Sequence, residues 1–291
     1  MIENALVLLS EVVLSLYPSL IKLTDASVFL QIGLRMAVFT VGALLAGGAT
    51  GHLPTATALL SSTSLYTGLL NLLHVGSSYT AFDLLPGGNA MSLFYTYPFM
   101  NLLGASLVLG EKFPLGSLPW LLVAFIGAVL VAQPSPTQWS VIGVVAALVA
   151  AATETGIYLW FKSRGDEKDG DAPWPKMAQM YGSSGILWAV IAAIALLVGW
   201  IGASTFALGG RALSQIIGFN TLVGFLGYAL RFYLIPKVST VTFSAISFFG
   251  VVSAYMFGWL LSGEIPTLVQ GVGAAAIVVA NAVILRSGEF I

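Results

Sequence analysis

Four ionisable side chains lie deep within long apolar runs of the sequence: Glu11, Arg35, His74 and Glu154. A charged group inside the hydrocarbon core of a membrane costs at least about 2.5 kcal/mol, so such residues usually mark a binding site or a proton pathway. Glu11 and Glu154 each lie in the opening apolar run of one half of the chain, where a buried carboxyl group can exchange protons with a substrate or water. The alternative for both residues is structural pairing between helices.

The basic candidates have equally simple alternatives. Arg35 lies about two helical turns into the second apolar run, where it can bind a carboxylate or phosphate through two N–H groups or neutralise Glu11. His74 lies in the middle of its run, where it can relay protons, although a hydrogen bond to a neighbouring helix is the favoured role. Arg231 and Lys22 lie near the ends of runs, where contact with lipid headgroups would explain them, so they are weaker candidates.

An aromatic cluster interrupted by Pro98 lies in the fourth apolar run. Tyr95 and Phe99 are four residues apart and are predicted to share a helix face, whereas Tyr97 is predicted to point elsewhere. Such rings can stack on a planar substrate or a cation, but packing is their commoner role. The same two interpretations apply to four further tyrosines, namely Tyr17, Tyr79, Tyr158 and Tyr228.

The composition decides where these residues must lie. The chain has 291 residues, of which 58% are hydrophobic and 8% charged, and its mean hydropathy is +0.95. Soluble domains carry about 25% charged residues, so a water-soluble enzyme is excluded. A net charge of −1 leaves no basic surplus for nucleic acid. The composition therefore predicts an integral membrane protein. Because the sequence has no cysteine to bind a metal and no P-loop to bind ATP, we expect no metal or cofactor.

The apolar runs define an all-α integral membrane protein with ten transmembrane helices. Each run stays apolar for about 20 residues, which suits a membrane-spanning helix and not an alternating β-strand. The runs cover residues 4–22, 28–47, 60–82, 88–109, 115–133, 139–161, 176–200, 212–234, 240–261 and 267–285.

The hydrophilic segment between the sixth and seventh runs is a predicted solvated linker, residues 162–176. It contains four basic and four acidic residues. With the N-terminus in the cytoplasm, the inner loops hold most of the Lys and Arg residues, which follows the positive-inside rule. We therefore expect a multi-pass protein of the cell (inner) membrane with both termini in the cytoplasm.

The chain divides into two halves, residues 1–137 and 138–291. Gly110-Glu111 in the first half corresponds to Gly263-Glu264 in the second, and a proline follows each pair. Each half contains five predicted spans, so the second half must enter the membrane from the opposite side. This arrangement is an inverted repeat, which many secondary transporters use to expose one central site alternately to each side.

Several short strings resemble the drug/metabolite transporter superfamily, and within it the ten-span EamA-type transporters. These strings are Tyr17-Pro18-Ser19-Leu20-Ile21-Lys22, Leu34-Arg35, Tyr95-Thr96-Tyr97-Pro98, Leu109-Gly110-Glu111, Leu230-Arg231-Phe232-Tyr233, Ser247-Phe248-Phe249-Gly250 and Leu261-Ser262-Gly263-Glu264. The resemblance implies two five-helix halves around a central cavity that the fourth span lines. It also implies that Glu11 occupies the place of the first-helix glutamate that binds protons and substrate in small multidrug transporters.

We therefore expect a secondary active transporter that exports a small polar organic metabolite, such as an amino acid, in exchange for protons. Its partners are the substrate, protons and the lipid bilayer, and not nucleic acid. The alternative is an antiporter of organic anions or phosphorylated metabolites. A less favoured rival is an intramembrane serine protease, because Gly182-Ser183-Ser184-Gly185 matches the rhomboid-type string. Both histidines precede these serines, however, and helix packing explains the string more simply.

Overall fold

The computed structural model describes residues 2–17, 24–85, 87–134, 139–165, 172–262, 265 and 267–287. Within these residues the chain forms helices joined by short connections, and no β-strand is present. The α-helices are α1 (Ile2–Leu14), α2 (Val28–Thr50), α3 (Ser62–Leu84), α4 (Gly87–Phe94), α5 (Tyr97–Val108), α6 (Leu118–Ala132), α7 (Val141–Ser163), α8 (Trp174–Leu197), α9 (Gly210–Phe219), α10 (Leu226–Leu234), α11 (Thr240–Ser247), α12 (Phe249–Ser262) and α13 (Leu268–Ser287).

Several of these helices have the length and apolarity needed to cross a membrane. Six such segments lie within the described residues, namely Val28–Thr50, Val141–Ser163, Trp174–Leu197, Gly210–Lys237, Thr240–Phe257 and Leu268–Arg286. The shorter helix α6 is also apolar. The protein is thus all-helical in the described residues and consistent with a multi-pass membrane protein, whereas the full count of ten spans stays a prediction.

Serine side chains begin four of the helices. The hydroxyl oxygens of Ser27, Ser61, Ser140 and Ser239 each accept a hydrogen bond from the backbone N–H three residues later. These N–H groups have no partner within the helix, and an unpaired N–H is costly in an apolar environment. The caps therefore explain why α2, α3, α7 and α11 begin where they do.

Three predicted spans are irregular near their centres. A turn at Tyr95 and Thr96 separates α4 from α5, where Pro98 stands in the first turn of α5. Proline has no N–H to donate to the preceding turn, so a continuous helix cannot pass through this point without loss of a hydrogen bond. Phe248 separates α11 from α12, and a π-helical segment, Asn220–Phe225, joins α9 to α10.

Small residues allow the helices to approach closely. Helix α2 packs against α8, α6 against α13, α3 against α7 and α8, and α1 against α10. A Cβ atom on Gly127 of α6 would lie 2.6 Å from the carbonyl oxygen of Gly273 of α13. A Cβ atom on Gly273 would meet the carbonyl oxygen of Gly127 at the same 2.6 Å. The two backbones are therefore in direct contact, as in other tightly packed membrane helices.

Replacing Gly127 with alanine should destabilise the protein by about 1–3 kcal/mol, because the new methyl group would push α6 and α13 apart. Gly271 provides the matched control, since no atom lies within 4 Å of a Cβ atom built there. Thermal unfolding in detergent should show a lower midpoint for Gly127→Ala and no decrease for Gly271→Ala. Equal midpoints for the two variants would contradict the close backbone contact.

Candidate functional site

A single arginine joins two buried glutamates at the centre of the helix bundle. Arg231 of α10 donates from Nη1 to Oε1 of Glu11 in α1, and from Nη2 to Oε1 of Glu154 in α7 at 2.7 Å. The three residues are only 3–4% exposed. A guanidinium group presents several N–H donors in a fixed plane, which is why one arginine can bridge two carboxylates. The ion pairs hold three helices of the bundle together.

Histidine and serine side chains extend this network. Nε2 of His74, in α3, lies 3.4 Å from Oε2 of Glu154. Its other ring nitrogen, Nδ1, lies 3.1 Å from the backbone carbonyl oxygen of Ala150. The hydroxyl of Ser247, at the end of α11, lies 3.4 Å from Oε1 of Glu11. We call Glu11, Glu154, Arg231 and His74 the charge network.

The second buried arginine, Arg35 of α2, lies among aromatic rings instead of carboxylates. Its guanidinium carbon lies 4.5 Å from the ring centre of Tyr17, 4.8 Å from that of Tyr228 and 5.1 Å from that of Phe39. None of the ion pairs formed within the described residues involves Arg35. Its Nε and Nη2 atoms are buried and have no hydrogen-bond partner there. The cation is therefore stabilised by the ring faces, while N–H donors remain free.

A cavity of about 70 Å³ lies between the two arginines. The residues that line it are Glu11, Leu14, Ser15, Tyr17, Arg35, His74, Ser78, Tyr79, Phe82, Met91, Phe94, Tyr95, Tyr97, Glu154, Tyr228 and Arg231. The cavity can hold water molecules or a small functional group, but it is smaller than the roughly 300 Å³ of pockets that enclose drug-sized ligands. Both arginines therefore face the same cavity.

The structure brings most of the sequence-predicted candidates to this cavity. Those that line it are Glu11, Glu154, Arg35, His74, Tyr17, Tyr79, Tyr95 and Arg231. Two others lie elsewhere: the ring of Phe99 packs against Phe125, and Tyr158 donates a hydrogen bond to Thr240 at 3.0 Å. Lys22 lies outside the described residues.

The structure corrects the interpretation of both arginines. The prediction that Arg231 reaches the lipid headgroups is wrong, because Arg231 is buried and pairs with Glu11 and Glu154. The suggestion that Arg35 neutralises Glu11 is also wrong, because the cation paired with Glu11 is Arg231. Arg231 was placed too near the end of its span, because the helical segment continues to Lys237 and the predicted span ended at residue 234.

The prediction that Tyr97 points away from Tyr95 is wrong as well. The centres of the two rings are 5.7 Å apart, and both residues line the cavity. Helical spacing does not apply across this segment, because the turn between α4 and α5 changes the direction in which successive side chains point.

The sequence did not show how two further residues, Tyr228 and Ser247, contact the two charge centres. Tyr228 lies three residues, or about one helical turn, before Arg231 and covers Arg35 on the cavity side, and the three-residue spacing could have indicated that Tyr228 and Arg231 share a helix face. Ser247 contacts Glu11 from a sequence distance of 236 residues and was not a site candidate; it stood only in one of the strings that carry the family resemblance.

The Gly182-Ser183-Ser184-Gly185 string lies in a helix contact. The hydroxyl of Ser184 donates to the carbonyl oxygen of Gly68 at 2.9 Å, and that of Ser183 donates to Leu59 at 2.5 Å. Asn71 also donates to the hydroxyl oxygen of Ser184, at 2.9 Å. The two serines thus fasten α8 to α3 and the turn before it.

Comparison with known proteins supports the fold of this chain and gives no function. No protein-family model matches this chain, and no curated protein matches it. One similar solved structure, described only as a crystal structure of a protein, is 16% identical and superposes with a TM-score of 0.75. The match covers 98% of this chain and 96% of that chain. The helical arrangement of nearly the whole chain therefore occurs in an experimentally determined protein.

Proposed function

We propose that this protein is a secondary active transporter that exports a small polar organic metabolite by alternating access, in exchange for protons. One observation carries the proposal: a cavity inside an apolar helix bundle is lined by two arginines and two glutamates. Charged groups are costly in that environment and are usually retained for transport or proton transfer. The resemblance to EamA-type transporters supports the same class.

The helix contacts support an arrangement of ten spans as two inverted halves, residues 1–137 and 138–291. If the halves correspond span by span, α2 matches α8 and α6 matches α13, and each of these pairs is in contact. The contact of α3 with α7 then corresponds to that of α10 with α1. Such pairing is expected when two similar halves pack around an axis in the membrane plane. The site lies between the halves, where rocking would expose it to each side in turn.

The two charge centres suit a substrate that carries both charges. Arg35 offers free N–H donors to a carboxylate, and the carboxylates of Glu11 and Glu154 can receive an amine as they exchange partners with Arg231. Tyrosine rings between the two centres provide flat surfaces for the rest of the molecule. An amino acid or a similar zwitterion therefore fits the site, which we place in the cell (inner) membrane with both termini in the cytoplasm.

The second candidate function is exchange of organic anions or phosphorylated metabolites. The unpaired donors of Arg35 favour it, since guanidinium groups bind phosphate as well as carboxylate. The carboxylates that line the same cavity oppose it, because they would repel a second negative charge.

Transport assays in liposomes separate these functions. The purified protein is reconstituted, and flux driven by a pH gradient is measured for amino acids, amines and phosphorylated compounds in parallel. We expect amino acids or amines to be carried, and either Glu11→Gln or Glu154→Gln to reduce pH-driven flux at least about tenfold. Asp83→Asn, an exposed change at the end of α3, is the control. Unchanged flux in both glutamate variants would refute a carboxylate mechanism.

A further inference from the structure

We propose that the exchanged proton is held between Nε2 of His74 and Oε2 of Glu154, and not on Glu11. This inference deepens the proposed function and rests on it. The carbonyl oxygen of Ala150 can only accept a hydrogen bond, so the Nδ1 atom 3.1 Å from it must carry a hydrogen. In the neutral imidazole, Nε2 then has a lone pair, and Nε2 lies 3.4 Å from Oε2 of Glu154.

Two lone pairs facing each other in a buried site repel. Oε2 of Glu154 accepts no hydrogen bond within the described residues, whereas Oε1 of the same carboxylate is bound by Arg231 at 2.7 Å. A proton between Nε2 and Oε2 converts the repulsion into a charge-assisted hydrogen bond. The backbone carbonyl of Ala150 thus fixes the imidazole in the orientation that creates the proton site.

The four residues of the charge network are electrically balanced when the proton is bound. With the proton, the charge network contains two carboxylates, one guanidinium and one imidazolium, so its net charge is zero. Without the proton the network carries one excess negative charge, and Arg35, which lies among aromatic rings and lines the same cavity, supplies the balancing positive charge. Of the other charged groups, Arg35 faces the same cavity and opposes the proton, while the ring of Phe94 beside His74 is uncharged.

This balance provides a physical route to exchange. An amine that reaches Glu154 brings the positive charge that the network needs, so the proton can leave Nε2 for water in the cavity. The products are a neutral imidazole that keeps its Nδ1 hydrogen and a carboxylate paired with the amine. Glu11 offers no comparable pair among the described residues, because the groups next to its Oε1 atom are the guanidinium of Arg231 and, at 3.4 Å, the hydroxyl of Ser247.

The first test needs no substrate. The chain has two histidines, and His52→Gln replaces the exposed one, so ¹⁵N-histidine labelling then reports on His74 alone. We expect nitrogen NMR in detergent to show a protonated Nδ1 at every pH, and an Nε2 signal that titrates and shifts in Glu154→Gln. A neutral ring that carries its hydrogen on Nε2 throughout, or a titration unchanged by Glu154→Gln, would overturn the proposal.

The second test uses the ratio of pH-driven flux to exchange of labelled for unlabelled substrate. In Glu154→Gln the amide N–H can donate to Nε2 without an extra proton, so we expect this ratio to fall at least about tenfold. In Glu11→Gln both fluxes should slow together, so the ratio should stay near that of the native protein. A fall of this ratio in Glu11→Gln alone would overturn the assignment of the proton to Glu154 and His74, while the proposed transport function would stand.

Discussion

Replacing Arg231 with glutamine should destabilise the folded protein by about 3–5 kcal/mol and abolish transport, because it leaves two buried carboxylates without their shared cation. Glu11 and Glu154 come from different helices, and the guanidinium of Arg231 is what holds them together. Buried carboxyl groups can escape the unpaired charge by taking up protons. The loss of stability should therefore be smallest at low pH and grow as the pH rises.

Thermal unfolding in detergent over a range of pH measures this effect. Arg211→Gln is the matched control, since Arg211 is exposed at the start of α9 and should give a change within about 0.5 kcal/mol. Adding Glu11→Gln and Glu154→Gln to Arg231→Gln should restore part of the lost stability, because the uncompensated charges are then removed. The ion-pair interpretation fails if Arg231→Gln unfolds at the same temperature as Arg211→Gln.

The helices could be predicted from the sequence because a membrane-spanning helix needs about 20 apolar residues, which are visible as a long apolar run. Within the described residues, each long apolar run coincides with one helix or with two helices divided by a break. Breaks were harder to place. Pro98 signals one of them, but the π-helical segment Asn220–Phe225 has no comparable residue, and the sequence could not show that the helix winds differently there.

The site could be predicted only in part, because its contacts span the whole chain. Intramembrane charge identified Glu11, Glu154, Arg35 and His74, all of which line the cavity. The partner of the two glutamates was missed, because Arg231 is separated from Glu11 by 220 residues and lies near the predicted end of its span. The pairing of charged residues depends on how the helices pack against one another. The apolar pattern of a single helix does not show that packing.

The two buried arginines differ in a way that predicts a large loss of stability on replacing Arg231 and a small change on replacing Arg35. Arg231 is paired with the carboxylates of Glu11 and Glu154, so its removal leaves their negative charges without a partner cation. Arg35 has aromatic rings around it, and its Nε and Nη2 donors have no partner among the residues that the structure describes. An arrangement that leaves buried donors unpaired weakens the fold, and such groups are often kept for function at the expense of stability.

Replacing Arg35 with methionine should therefore change stability by less than about 1 kcal/mol while abolishing transport. The loss of ring contacts, worth about 0.5–2 kcal/mol, is offset because an unpaired buried charge is also removed. Binding of the anionic part of a substrate should weaken by roughly ten- to a hundredfold, the equivalent of about 1.5–3 kcal/mol for a charged hydrogen bond.

Thermal shift with and without substrate separates the two effects on one sample. Arg35→Met should unfold near the native temperature but lose the stabilisation by added amino acid, whereas Arg35→Lys should keep part of it. A lysine retains the charge but cannot offer two parallel N–H groups to a carboxylate. If Arg35→Met instead lowered stability as much as Arg231→Gln, the aromatic cage around Arg35 would be a structural element, and the anionic group of the substrate would have to bind elsewhere in the cavity.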